Sequence, residues 1–130
     1  MMAGIREILR VTNKIDLEIF KRLLGDGSEL GMSIEYAIQT KPNGIVEAIL
    51  IGKKFLEKSP LALILGDNIF HGASLIERLK SVSRKSHTST IFSYHVKNPE
   101  NFGVVEFTRT GKVINIEEKP KNPKTNFVIP

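Results

Sequence analysis

The residue best placed for chemistry is Asp67, which follows the apolar run at 61–65 and Gly66. A short apolar run that ends in Gly-Asp-Asn is typical of a buried parallel strand that brings a carboxylate to the carboxyl edge of an α/β sheet. Ligands of open α/β folds bind in the crevice outside those strand ends. A carboxylate there can hold Mg²⁺ together with water and phosphate oxygens. The alternative is that Asp67 only forms a turn or caps the next helix.

A second candidate is Gln39 with the loop at 40–44, which contains Pro42, Asn43 and Gly44. This loop lies between the end of an alternating segment and the start of a predicted helix. Its backbone N–H groups and the side-chain amide could bind an anion or the edge of a nucleobase. A plain turn built from proline, asparagine and glycine explains the same residues.

A third candidate lies near the end of the chain, where Glu118 and Lys119 precede Pro120. A lysine can neutralise a phosphate as a point charge. A carboxylate, with a glycine such as Gly103 that permits close approach, can hold sugar hydroxyls. Surface charge is the ordinary explanation of a Glu-Lys pair. Taken together, the three candidates suit phosphoryl or nucleotidyl transfer, in which positioning and charge neutralisation dominate.

The elements that must position these residues alternate along the first three quarters of the chain. Apolar patterning predicts strands at 5–11, 33–39, 61–65 and 90–96, with a helix after each of the first three. The order β-α-β-α-β-α-β predicts an α/β fold, with a mostly parallel sheet and helices on its faces.

The last quarter predicts a β-hairpin with strands at 103–107 and 112–118 around a turn that contains Gly111. Alternation places Ile114, Ile116 and Glu118 on one face of the second strand. If the isoleucines face inward, Glu118 lies at the end of the buried face and points at a cleft.

Bulk properties exclude several classes of protein. A chain of 130 residues corresponds to one domain, and its 41% hydrophobic and 25% charged content is ordinary for a globular protein. The net charge is +5, but the basic residues are interspersed with acidic ones along the chain, which argues against a nucleic-acid surface. No apolar run approaches a membrane span, there is no cysteine, and the three histidines lack the spacing of metal ligands. We expect a cytoplasmic protein without membrane or nucleic-acid partners.

Five motifs, in order and in register, resemble bacterial glucose-1-phosphate thymidylyltransferases, and the resemblance covers residues 3–129. They are LLGDGS at 23–28, QTKPNG at 39–44, LGDNIFHG at 65–72, FGVVEF at 102–107 and IEEKPKNPKTNF at 116–127. The resemblance implies a Rossmann-like three-layer nucleotidyltransferase fold. It also implies the conversion of dTTP and glucose 1-phosphate to dTDP-glucose and pyrophosphate, at the start of dTDP-rhamnose and surface polysaccharide synthesis. Complete members are expected to be homotetramers.

Residue by residue, the resemblance implies two catalytic groups and a set of substrate contacts. Asp67 resembles the Mg²⁺-binding aspartate and Lys119 the lysine that meets the sugar phosphate. The nucleobase and sugar contacts implied in the same way are Gln39 and Gly44 for the base, and Gly103, Glu118 and Ile129 for the sugar.

The sequence also departs from the family. Members begin with a strand and a Gly-rich loop that cradles the triphosphate, and they continue to a second metal-binding aspartate; neither is expected in this chain. Arg10 replaces an apolar residue, and Asn43 and Glu47 stand where aspartate and glutamine are common. We therefore expect residues 1–130 to be one partial nucleotidyltransferase domain, incomplete at both ends, marginally stable and inactive or nearly so alone.

Two other functions remain open on the sequence. The first is a uridylyl- or cytidylyltransferase for a related sugar phosphate, since the choice of base depends on a few loop residues. A non-catalytic fragment that binds nucleotide sugars is favoured by the expected absence of the phosphate loop. A nucleic-acid-binding module is a distant third.

Overall fold

The computed structural model describes residues 3–57, 59–84 and 89–129. Among these residues two compact units are present, the first formed by 3–57, 59–64 and 70–84 and the second by 65–69 and 89–129. The single-domain organisation stays a prediction. The strands are β1 (Glu7–Thr12), β2 (Ser33–Ile38), β3 (Tyr94–His95), β4 (Gly103–Phe107), β5 (Val113–Glu118) and β6 (Phe127–Ile129), and the helices are α1 (Leu17–Leu24), α2 (Ile45–Ile51), α3 (Lys53–Leu56) and α4 (Leu75–Ser83).

In the first unit β1 and β2 form a parallel pair, in register from Glu7 opposite Ser33 to Thr12 opposite Ile38. Parallel strands need a crossover connection, and α1 provides it. The predicted β-α-β start of the chain is therefore confirmed. Tyr36 fixes the end of the crossover, since its hydroxyl lies 2.7 Å from the carbonyl oxygen of Gly25.

Arg10 interrupts the apolar pattern of β1 and has a structural explanation. Its guanidinium carbon lies 4.0 Å from the centroid of the Phe20 ring on α1. A guanidinium over an aromatic face is attracted by the ring quadrupole, and its planar shape packs like an apolar group. Arg10 therefore joins β1 to the crossover helix, at a position where an apolar side chain was expected.

The turn after α1 is closed by Gly27, which packs against Ile34, a residue 7% exposed. The φ of Gly27 is +83°, and an added Cβ would lie 2.6 Å from Ile34 Cγ1. Gly31 is a matched control because its φ is +65° and nothing lies within 4 Å of its Cβ position. We expect Gly31→Ala to cost about 1 kcal/mol of unfolding free energy, from backbone strain alone.

The collision with Ile34 is expected to make Gly27→Ala about 2 kcal/mol more destabilising than the control. Urea unfolding followed by far-ultraviolet circular dichroism measures both variants. Equal losses for the two substitutions would contradict the close packing of Gly27 on Ile34.

The second unit is a four-stranded antiparallel sheet in the order β3-β6-β4-β5. Strands β4 and β5 form the predicted hairpin, with Gly111 at φ +81° in the turn. The buried apolar residues are Val104 and Val105 of β4 and Val128 of β6, which are 0–3% exposed. Val104 and Val128 are paired and share one face, whereas Val105 lies on the opposite face of β4, so buried side chains are found on both faces of this strand.

The strand predicted at 61–65 does not form: these residues have no regular secondary structure. Leu61, Leu63 and Ile64 are 46%, 48% and 60% exposed, so this run is not buried either. A strand exists only through hydrogen bonds to a neighbour, and β1 pairs with β2 alone in the two-stranded sheet. The prediction of a buried strand at 61–65 was therefore wrong for the described residues, which give this run no neighbouring strand to pair with.

Two further expectations about strands were wrong. The segment 90–96 contributes just Tyr94–His95, which pair antiparallel with β6 rather than joining a parallel sheet. Ile114 and Ile116 are 65% and 50% exposed, and the other residues of β5 are exposed as well, so neither face of this strand is buried. The α/β class is confirmed, with a parallel pair in one unit and an antiparallel sheet in the other. Within the described ranges no helix has the length and apolar character needed to cross a membrane.

Candidate functional site

The Gln39 loop, defined as residues 39–47, is held together by the side chain at its first position. The amide nitrogen of Gln39 donates to Glu47 Oε2 at 2.6 Å and to the Gly44 carbonyl oxygen at 3.2 Å. Gln39 and Gly44, the two predicted base contacts, are thus brought together by a direct hydrogen bond. Gly44 adopts φ +95° with open space around its Cβ position, which leaves its backbone accessible.

Glu47, at the first turn of α2, is a member of this site that sequence reasoning did not include. It accepts from Gln39, and its Oε1 accepts from Asn43 Nδ2 at 3.1 Å. The bond from Gln39, followed by that from Asn43, lowers the pKa of Glu47 because both stabilise the carboxylate. An acid at a position where the family commonly has glutamine was the available sequence signal.

This network predicts a pH dependence. Because the folded-state pKa of Glu47 is lowered, its hydrogen bonds stabilise the loop at neutral pH. That stabilisation is lost as the pH falls through the folded-state pKa, below the ordinary glutamic acid range. We expect the Gln39 side-chain amide signals in nitrogen–proton correlation spectra to shift with a midpoint below that range. The shift should vanish in Glu47→Gln, and a midpoint at or above the ordinary value would contradict the network.

A second cluster, the Glu118 corner, consists of Gly103, Glu118, Lys119 and Ile129. Gly103 opens β4 and pairs with Glu118 of β5 on one side and Ile129 of β6 on the other. A Cβ on Gly103 would lie 3.3 Å from Glu118 Oε2, so the carboxylate leans over the glycine. Three predicted sugar contacts therefore lie side by side on adjacent strands, and the absence of a side chain at Gly103 leaves room beside the carboxylate.

Lys119, the residue that follows β5, has an unusual backbone conformation. Its φ is +45°, a left-handed conformation that costs a non-glycine residue about 1 kcal/mol or more. Its N–H donates to the Phe102 carbonyl oxygen at 3.0 Å, and the following Pro120 is buried, which together hold the bend. The Lys119 ammonium lies 4.0 Å from Glu118 Oε1, and both side chains are mostly exposed. Glu118 and Lys119 therefore lie together at the end of β5 with both side chains exposed to solvent.

Asp67 lies in a turn in which the N–H of Asn68 donates to the Leu65 carbonyl oxygen at 3.2 Å. Its side chain is exposed, and it is not placed at the end of a strand as predicted. Asp67 offers a single carboxylate. One carboxylate is enough for Mg²⁺ when water and substrate phosphates supply its other ligands. In the described part of the chain, no group of three acidic or histidine side chains could enclose a metal ion.

Comparison with known proteins gives this arrangement a context. A family model described as nucleotidyl transferase matches residues 1–129. A glucose-1-phosphate thymidylyltransferase of Neisseria meningitidis is 49% identical over 129 residues, which are 99% of this chain and 45% of that protein. The enzyme of the same name from Mycolicibacterium smegmatis is 47% identical over 132 residues, covering all of this chain and 45% of its own.

The solved structures include a similar chain. A Bacillus anthracis protein described as a glucose-1-phosphate thymidylyltransferase, in complex with sucrose, superposes with a TM-score of 0.82 at 31% identity. The match covers 93% of this chain and 48% of that one. This chain therefore spans a little under half the length of the relatives it resembles.

Proposed function

Because the chain belongs to the nucleotidyl transferase family, we propose that it carries the base- and sugar-binding part of a glucose-1-phosphate thymidylyltransferase. The reaction joins dTTP and glucose 1-phosphate to give dTDP-glucose and pyrophosphate. The Gln39 loop binds the base through Gln39 and the accessible backbone of Gly44. The Glu118 corner binds glucose through Gly103, Glu118 and Ile129.

The observation that carries this proposal is the register around Gly103. The glycine has Glu118 on one neighbouring strand and Ile129 on the other. A carboxylate accepts bonds from adjacent hydroxyl groups, an apolar side chain packs on the carbon face of a sugar ring, and a glycine leaves the space that the ring needs. These are the three properties that a site for a neutral sugar requires.

Lys119 and Asp67 have charge-neutralising roles in the proposed reaction. An oxygen of the sugar phosphate forms a bond to the α-phosphorus of the nucleotide, and the bond from that phosphorus to the bridging oxygen breaks. The bonding electrons leave with pyrophosphate. Lys119 holds the sugar phosphate through its ammonium and orients it for attack. Asp67 would hold Mg²⁺, which when bound neutralises charge on the nucleotide phosphates.

Binding of dTDP-glucose to Glu118→Gln tests the sugar assignment. A hydrogen bond to a carboxylate is worth about 1.5–3 kcal/mol, so we expect at least about a tenfold loss of affinity by titration calorimetry. Affinity for thymidine monophosphate, which lacks glucose, should stay unchanged. Glu117→Gln is the matched control, since Glu117 is the adjacent exposed acid on the other face of β5. Equal effects of the two substitutions would contradict the proposed role of Glu118.

The proposal extends to the setting of the whole enzyme. A nucleotide-sugar synthesis of this kind fits the cytoplasm, where it would begin dTDP-rhamnose formation, and complete members are expected to act as homotetramers. A chain that binds dTDP-glucose without turnover would correspond to the non-catalytic alternative.

A further inference from the structure

The two sides of the Glu118 corner are joined by the segment at 119–126, which connects β5 to β6. In the sheet order β3-β6-β4-β5, the strands β5 and β6 lie on opposite sides of β4. Both run antiparallel to β4, and Glu118 and Ile129 lie opposite the same residue, Gly103. The segment must therefore pass from one side of β4 to the other. The place of Ile129 beside Gly103 depends on what holds the end of the segment to β4.

Thr125, near the end of this segment, is held to β4 by its side chain. The hydroxyl donates to the Val105 carbonyl oxygen at 2.7 Å, and the same hydroxyl oxygen accepts from the N–H of Phe127 at 3.3 Å. The residue pairing between β4 and β6 ends at Val104 opposite Val128. The hydroxyl therefore lies between a carbonyl of β4 and an N–H of β6, and it bridges them where direct pairing has stopped.

The bridge requires one atom that donates and accepts hydrogen bonds at the same time. A hydroxyl group has one O–H donor and two acceptor lone pairs, so a threonine or a serine can form it. Valine has nearly the shape of threonine but can neither donate nor accept. Val105 is 1% exposed. Loss of the hydroxyl therefore removes the partner of its carbonyl oxygen at a place where water is a poor substitute.

The shortness of β6 makes this bridge important. The strand has three residues, Phe127–Ile129, and two of them pair with β4. A second contact of the segment with β4 is the ion pair of Lys124 with Glu106 at 3.1 Å, in which the lysine side chain is 67% exposed. Exposed ion pairs contribute little because water and salt screen them. We therefore expect the hydroxyl of Thr125, rather than the ammonium of Lys124, to fix the start of β6.

We propose that Thr125 is a positioning residue of the sugar site: its hydroxyl bridge holds the start of β6 against β4 and thereby keeps Ile129 beside Gly103. This inference rests on the proposed function of the Glu118 corner. Thr125 acts through Ile129 and is assigned no contact with the sugar. A ligand that binds the paired arrangement loses affinity in proportion to the molecules that leave that arrangement.

The test measures binding to the full 130-residue chain by titration calorimetry, with dTDP-glucose and thymidine monophosphate as the two ligands. Thr125→Val removes the hydroxyl and keeps the size of the side chain. We expect it to weaken binding of dTDP-glucose at least about threefold, as loss of one hydrogen bond can do. Affinity for thymidine monophosphate, which lacks glucose, should stay unchanged. Thr125→Ser keeps the hydroxyl and should remain within about twofold of the wild type for both ligands.

Lys124→Gln is the matched control, since it removes an exposed contact of the same segment. We expect both of its affinities to stay within about twofold of the wild type. Cross-strand nuclear Overhauser effects show whether the change in Thr125→Val is local. Those between β4 and β6 should weaken, and those between β4 and β5 should be kept.

Unchanged affinity of Thr125→Val for dTDP-glucose, or an equal loss in Thr125→Ser, would overturn the positioning role. Loss of the β4–β5 effects in Thr125→Val would overturn it as well, because Thr125 would then support the sheet as a whole. Failure of the wild-type chain to bind dTDP-glucose would instead overturn the proposed function, and the role of Thr125 in sugar binding with it.

Discussion

A polypeptide of these 130 residues is expected to make dTDP-glucose at least about 10³-fold more slowly than a full-length relative under the same conditions. Transition-state stabilisation needs charged groups that are fixed where charge develops, and loss of a single such group costs about 10²–10³ in rate. Asp67 is here exposed in a turn, after an apolar run that has no strand partner. The carboxylate that should bind the metal is thus exposed, and in the described part of the chain no hydrogen bond to its oxygens fixes it.

The measurement is pyrophosphate release from dTTP and glucose 1-phosphate, with the N. meningitidis relative as the positive control. Asp67→Asn is the informative second sample, because residual activity that depends on Asp67 would come from the chain itself rather than from a contaminant. Turnover within about tenfold of the relative, abolished by Asp67→Asn, would refute this expectation and would mean that Asp67 is fixed on substrate binding.

The second large effect concerns the stability of the antiparallel sheet. Val128 is 0% exposed at the centre of β6, and we expect Val128→Ala to cost about 2–3 kcal/mol, from lost burial and the cavity left behind. The reason is the small size of this core, which among the described residues of the unit consists of three buried valines, Val104, Val105 and Val128, with the buried prolines Pro99 and Pro120. Such a loss is a large part of the 5–15 kcal/mol typical of whole domains.

Val113→Ala is the matched control, since it makes the same chemical change in the same sheet at a position that is 40% exposed. Its cost should stay below about 1 kcal/mol. Urea unfolding, with hydrogen exchange of the β4 amides as a local probe, measures both variants. Similar losses for Val113→Ala and Val128→Ala would show that Val128 is not part of a packed core.

Local patterns predicted the elements that depend on nearby residues. The helical stripe of α1, the alternation of β2 and the turn before Lys112 are all set within a few residues, and each formed where expected. The strand at 61–65 was not predictable in this way, because a strand also depends on whether another strand lies beside it. The prediction of a buried face on β5 was wrong for a related reason: alternation separates two faces, but only packing decides whether either is covered, and all of β5 is exposed.

In the candidate site, too, some features could be predicted from local sequence and others could not. Residue type and position at strand ends were enough to select Gln39, Gly103 and Glu118. The pairing of Gly103 with both Glu118 and Ile129 depends on strand register across a loop, which alternation does not specify. Glu47 was overlooked because its importance comes from the hydrogen bonds it accepts, and those depend on the path of the loop.

The parallel pairing of β1 with β2 has a consequence for the order in which the chain acquires structure. No ladder bond of this pair can form until the chain from Glu7 to Ser33, helix included, has closed on itself. The β4–β5 hairpin closes over the short turn between Phe107 and Val113. Hairpins form in about 1–10 μs, and pairings between distant segments are slower because loop closure must come first. The Gly103–Glu118 pair is therefore expected to form before β1 and β2 pair, whereas Ile129 of β6, which also pairs with a distant part of the chain, joins the Glu118 corner later.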